Sequence, residues 1–227
     1  MNRVYERRWL RFAKGGKMKY IGHLDLLKIF QSAIRRAKLP IAYSMGFNPH
    51  QRLSFALPLP VGMDSVCEYI ELLLDEPAEN LKDDLDAQLP DGLRLLELYK
   101  IPEKAPRPAA AIMAVDYRLI FPGVTESKAC LQAMVDASEI MMLKKTKSGE
   151  IEADIKQDIL AIEYDPVGAV SMRLSSGSVR NLNPMLVAQK LFEDMAISPD
   201  VHEISLMRRE MYGEIDGKLV PLHEVAL

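Results

Sequence analysis

Cys67 and Cys130 are the only thiols in this 227-residue chain. They form no CxxC pair and match no zinc spacing, so neither a disulfide framework nor a thiolate metal site is indicated. Two small buried hydrophobes is the simpler reading. No run of eighteen apolar residues occurs, which leaves no helical membrane span. The first residues are charged and hold no apolar leader, so a cytoplasmic protein is expected. HExxH, GxSxG and the kinase set are missing, and no metal or cofactor is expected from the residues present.

Acid is scarce in one region. Residues 1–62 hold two acids, Glu6 and Asp25, against twelve Lys/Arg, a net of +10; the other 165 residues carry −13, giving −3 overall. A basic block on an otherwise acidic protein suits a polyanionic or acidic partner. The same block could instead neutralise the acidic helix expected at 77–90. Charge counting leaves both open.

The rest of the composition, 48% apolar and 27% charged, is ordinary for a globular chain of one or two domains. "RRWLRFAKGGKMKYI" reads as a strand broken at Gly15-Gly16, with Trp9 and Arg11 on one face and Leu10 and Phe12 on the other. A basic helix follows, with Leu24, Leu27, Phe30, Ala33, Ile34 and Ala37 as its apolar stripe and Pro40 as its stop. "IAYS" predicts a short strand, and "CEYIELLLDE", an acidic helix over 77–90 and "LRLLELYKI" complete β-α-β-β-α-β. After a Pro/Ala-rich stretch the order restarts, with hairpins around Ser148-Gly149 and "DPVG" and a helix capped by Asn183. The expected class is α+β: tandem ferredoxin-like (βαββαβ) domains with an elaborated loop in the first. The expected division is 1–103, a linker at 104–113, and 114–227 with an extra hairpin and a short C-terminal tail.

Three places could carry chemistry. His23 opens the basic helix with Asp25 two residues on. The helix dipole disfavours a charged histidine there and the aspartate favours it, which suits acid/base work. Alternatively the two residues only complement the helix terminus, and so isolated a spacing favours that. The loop "YSMGFNPHQRLSFALPLPVG", 43–62, is rich in Gly and Pro yet apolar. Phe47 either stacks a base or anchors the loop to the core, and its residue type favours anchoring. His50 and Arg52 either meet nucleic acid or are solvated. With Arg35, Arg36 and Lys38 on the helix they are the candidate RNA contacts. "SSGSVRNLNP", 175–184, could form an anion nest with Arg180, though it lacks GKS/T and a capped loop is the simpler reading.

The string "HLDL…RRA.LP…S.GFNP…S.A..LP.G", from His23 through Gly62, with "CEYIEL" after it, resembles an uncharacterised radical-SAM-linked family. This is a bacterial domain of unknown function found beside, or fused behind, B12-binding-type radical SAM proteins. The resemblance implies a radical SAM partner and genomic company with RNA-processing genes. It supplies no catalytic residues. CxxxCxxC is absent, so this chain by itself holds no radical SAM cluster. The tandem architecture is also similar, at fold level, to CRISPR repeat-processing endoribonucleases, which often place a histidine on the first helix, where His23 stands. They carry a glycine-rich loop near the C-terminus that this chain lacks. The expected function is a non-catalytic RNA-binding or substrate-presenting module. The alternatives are a metal-independent endoribonuclease using His23, and a protein-docking domain for the radical SAM enzyme without RNA.

Overall fold

A computed structural model describes residues 5–146, 149–177 and 180–227. The chain is of α+β class, with five α-helices among the described residues. It forms two compact units: residues 1–112 with 211–227, and residues 113–210.

Unit 1 starts with β1 (Glu6–Lys14), α1 (His23–Arg36), β2 (Leu53–Phe55), β3 (Asp64–Leu74), α2 (Leu81–Asp86) and β4 (Leu93–Ile101). β4, β1 and β3 lie side by side, and β2 pairs with β3 off the main path of the sheet, each of these pairs antiparallel. Alternation along β1 sends Leu10 and Phe12 into a core with Leu26, Phe30, Ala33 and Ile34 of α1 and Ile70, Leu72 and Leu74 of β3. The Phe12 ring lies 5.0 Å from that of Phe30 and 6.0 Å from that of Phe55. The buried stripe of α1 begins at Leu26; Leu24, expected in the stripe, is exposed.

The opposite face of β1 and β3 is buried as well. Trp9, Tyr69 and Glu71 lie there, and the segment 211–227 supplies cover. That segment holds the end of a strand that starts in the second unit (Ser205–Ile215), a short strand (Lys218–Pro221) and a 3-10 turn (Leu222–Ala226). The His223 ring stacks on Tyr99 at 4.5 Å, and its Nδ1 is 3.1 Å from the Tyr69 hydroxyl. Gly213 makes this closure possible: a Cβ there would stand 2.4 Å from a Val225 methyl and 2.8 Å from the Ala111 carbonyl oxygen. Residues 211–227 therefore belong with the first unit, whereas the sequence pattern assigns them to the second.

Unit 2 contains β5 (Ala114–Ile120), α4 (Lys128–Asp136), the hairpin β6 (Met141–Thr146) and β7 (Gly149–Asp154), then β8 (Ile159–Asp165), β9 (Ala169–Ser175) and α5 (Pro184–Asp194). β10, the strand Ser205–Ile215, begins here. Strands β5, β9 and β8 run antiparallel side by side. The expected hairpins are present; Ser148 of the first turn lies outside the described residues. The Asn183 side chain accepts from the Met185 N–H at 3.0 Å, the cap expected there.

Three local expectations change. Ile41 and Tyr43 make isolated bridges only, and the strand beside β3 is β2, from inside the Gly/Pro-rich loop. The acidic helix shortens to six residues, Leu81–Asp86. The Pro/Ala-rich stretch is an ordered part of unit 1 and contains a four-residue helix, Pro108–Ala111 (α3).

Candidate functional site

Among the described residues, the Arg7 guanidinium makes six hydrogen bonds. Its Nε and Nη2 donate to Glu71 Oε1 at 2.9 and 2.6 Å. Its Nη1 donates to the carbonyls of Pro102, Glu103 and Ala105 at 3.0, 2.9 and 2.6 Å, and its Nη2 also to Pro106 O at 2.9 Å. The Trp9 indole N–H adds a bond to Glu71 Oε1 at 3.2 Å. Glu71 is 1% exposed, and a carboxylate buried that deeply needs such partners. One side chain of β1 thus binds the chain at 102–106 to the sheet.

Beside this clamp lie two adjoining cavities of about 190 and 290 Å³ that share Arg52, Leu73 and Arg107. The first is also lined by Ser44, His50, Ser54 and Glu71, the second by Tyr5, Arg7 and Glu103. The Arg52 guanidinium carbon sits 4.5 Å from the centre of the Tyr5 ring, a cation–π stack. Arg107 reaches Glu71 Oε2 only at 3.7 Å, an ion pair longer than a hydrogen bond.

Of the residues singled out from sequence, His50 and Arg52 line this cleft; the others do not. His50 closes its loop: its Nδ1 is 2.8 Å from the Ser44 hydroxyl, and its backbone N–H donates to that oxygen at 3.1 Å. The Ser44 N–H donates to the His50 carbonyl at 2.8 Å. This clasp holds up a tip on which Phe47 is fully exposed and Met45 is 90% exposed. Phe47 therefore does not anchor the loop. Its ring faces water, while Ala56 and Leu59 farther along the loop are buried.

At the end of α1, Arg35 donates to Ser32 Oγ at 3.0 Å, and Arg36 donates to the Gln88 carbonyl and side-chain oxygens at 2.5 and 3.3 Å. Lys38 is exposed at a φ of +53°. Among the described residues none of the three has an acidic partner. The acidic helix does not neutralise them, and Asp86 instead accepts the Leu95 N–H at 2.6 Å. The bases of β1 are used internally: Arg7 with Glu71, Arg8 with Glu6, Arg11 with Glu97, and Lys14 on the Ile21 carbonyl.

His23 and Asp25 do not form a dyad. Asp25 pairs with Lys28 at 3.0 Å, and the His23 ring meets the Phe55 ring edge-on at 5.2 Å. In unit 2, Arg180 bonds to Asp158 at 2.9 Å and Gln157 at 3.0 Å, so it belongs to a braced loop; Ser178 and Val179 lie outside the described residues. A cavity of about 500 Å³ on the sheet of unit 2 is lined by charges that cancel locally, with Arg173 bidentate on Asp116 at 2.7 and 2.8 Å and Arg118 near Asp165. No helix among the described residues is long and apolar enough to cross a membrane.

Sequence reasoning missed Tyr5, Arg7, Glu71 and Arg107. One signal was available: an acid inside the run "CEYIELLL" must be buried with a cation, and β1 is the basic strand beside it.

Among solved structures, the chain is similar to the crystal structure of an unknown protein from Galdieria sulphuraria, at 11% identity over 90% of this chain and 99% of that one, with a TM-score of 0.29. A likeness that slight carries no argument. No curated protein matches. The model of the family described as "Uncharacterized protein conserved in bacteria (DUF2344)" matches residues 7–184, and the chain belongs to that family.

Proposed function

We propose that this protein is a non-catalytic RNA-binding or substrate-presenting module, built on tandem ferredoxin-like domains, that works with a radical SAM enzyme. The observation that carries the reading is the fate of the basic block. Its strand residues are consumed inside unit 1, while Arg35, Arg36 and Lys38 are exposed at the end of α1 without acidic partners among the described residues. Phosphate contacts from such residues give affinity, and an exposed ring such as Phe47 gives a base a face to stack on. The clasp between Ser44 and His50 keeps the loop ordered before binding, which lowers the entropy lost on association. The antiparallel pairing of β1 with β4 and β3, and of β3 with β2, supports the ferredoxin-like reading. The radical SAM partner comes from the resemblance of residues 23–62.

The test is binding of labelled tRNA and rRNA fragments across a salt series, wild type against Arg35→Glu/Lys38→Glu. Tight binding that falls steeply with salt and is lost in the variant supports RNA on this face. Equal affinity of the two proteins at every salt concentration rejects it.

A second reading, docking on the radical SAM enzyme without RNA, is favoured by the exposed pair Met45 and Phe47, since apolar tips also suit protein interfaces. Capture of the enzyme from RNase-treated extract, lost on Phe47→Ser, selects it. The nuclease reading has less support, because the His23 ring meets Phe55 and Asp25 lies with Lys28, so the two are not paired with each other. RNA cleavage abolished by His23→Ala with affinity intact would restore it.

A further inference from the structure

We infer that the cleft between β2, β3 and the clamped segment 102–107 is a phosphate-binding site, with Arg52 and Arg107 as its cationic ligands. This goes beyond the RNA-binding face and does not depend on it, since Arg35, Arg36 and Lys38 line neither cavity.

The charge balance of the cleft comes first. Arg7 and Glu71 satisfy each other, and every donor group of Arg7 is directed at Glu71 or at the carbonyls of 102–106. Two guanidiniums remain. Arg52 has one face against the Tyr5 ring, and among the described residues no protein acceptor takes its in-plane N–H groups. Arg107 has only the long approach to Glu71 Oε2. Glu103 is the other acid lining the space; its carbonyl is fixed by Arg7, and its side chain is exposed. The lining therefore carries an excess of positive charge, with Arg7, Arg52 and Arg107 against Glu71 and Glu103.

Donor geometry favours a phosphate. Guanidinium edges suit oxyanions that accept two parallel bonds. Ser54, which pairs with Glu71 across β2 and β3, brings a hydroxyl to the same wall. His50 has Nδ1 engaged by Ser44, which leaves Nε2 as its second polar atom. Two arginines, a hydroxyl and an imidazole can surround a tetrahedral anion on several sides.

The backbone that carries both arginines is also fixed. Arg107 directly follows the segment that Arg7 clamps, and its carbonyl accepts the N–H groups of Ala110 and Ala111 of α3. Arg52 is fixed by its stack and by backbone bonds to Ala42 and Leu73. The two cavities together reach the size of small-ligand sites, about 300–1,000 Å³. A phosphate could belong to a free nucleotide or to the 5′ end of an RNA.

The experiment is calorimetric titration of the full chain with AMP and with adenosine, followed by a 5′-phosphorylated oligoribonucleotide against its 5′-hydroxyl counterpart. AMP should bind at least tenfold more tightly than adenosine. Arg52→Gln should remove most of that preference and Arg107→Gln part of it, while Arg35→Glu/Lys38→Glu should leave it unchanged. A fivefold or greater gain for the 5′-phosphorylated oligomer assigns the phosphate to an RNA end. AMP binding without that gain assigns it to a free nucleotide. Equal affinity for AMP and adenosine, no AMP binding at millimolar concentration, or an unchanged preference in a folded Arg52→Gln variant overturns the site. Loss of RNA binding in Arg35→Glu/Lys38→Glu with AMP binding intact separates the two surfaces. AMP binding by a protein that ignores all RNA leaves the cleft standing and removes the RNA face.

Discussion

Arg7 and Glu71 lie 64 residues apart and form a buried ion pair that also holds the backbone at 102–106. Removing one partner leaves the other charged in the interior. Glu71→Ala is expected to cost about 3–5 kcal/mol, read as a lowered urea midpoint. The double replacement Arg7→Met/Glu71→Leu should cost clearly less than the two single changes added together. Additive losses would mean that the pair does not act as a unit.

The same clamp makes a local prediction. In Arg7→Lys, one ammonium replaces a fork that serves a carboxylate and four carbonyls. Amide exchange at Glu103, Lys104, Ala105 and Arg107 should accelerate more than exchange in α1. Uniform acceleration would point to general destabilisation instead.

Phe47 should matter to binding and hardly at all to folding. Phe47→Ser is expected to leave the unfolding free energy within about 0.5 kcal/mol of wild type. If the ring stacks on a base, the variant should lose about 1–3 kcal/mol of RNA affinity. A large drop in melting temperature would contradict the exposed position of the ring.

Gly92 has a φ of +91°, and a Cβ there would stand 2.6 Å from the Gly15 carbonyl oxygen and 2.9 Å from Met18 Cγ. The Gly15 N–H donates to the Gly92 carbonyl at 2.8 Å, so the two segments cannot part freely. Gly92→Ala should destabilise unit 1 by about 1–3 kcal/mol. Gly62→Ala also meets a positive φ, +89°, but open space, and should cost less.

Asp154 gives a pH dependence whose sign is fixed. Its carboxylate accepts the N–H groups of Ile140 and Lys156 at 2.8 and 2.9 Å, and these bonds hold its pKa below the ordinary value. The stabilisation is complete above the unfolded-state pKa and is lost as pH falls through the lower folded one. Wild type should therefore lose stability below about pH 4 faster than Asp154→Asn, which lacks this titration. Parallel acid-unfolding curves would show that the two bonds contribute nothing.

The α+β class and nearly all strands of the chain were readable because alternation and turn residues are local signals. The strand Asp64–Leu74 and the helix capped by Asn183 appear close to where the pattern put them. Most of the misreadings involve partners distant in sequence; the one at Phe47 is local. "IAYS" has strand composition, yet β2 takes the place beside β3, because Leu53–Phe55 brings Phe55 to the Phe12–Phe30 cluster. The stretch 102–113 has linker composition, and its order comes from Arg7, about a hundred residues earlier. Phe47 looked like an anchor because residue type favours burial, but the clasp of Ser44 and His50 holds the loop without it. For the cleft, Arg52 and His50 were legible as basic loop residues. Arg107 and Tyr5 were not, since nothing local announces that they meet.

The division of the chain has a consequence for biosynthesis. Residues 113–210 interrupt unit 1, so the ribosome must make all of unit 2 before it reaches Gly213 and His223. At about 5–20 residues per second, that interval lasts roughly 5–20 s. Throughout it, the Tyr69 and Tyr99 rings, which His223 covers in the finished chain, wait for a partner that has not yet been translated.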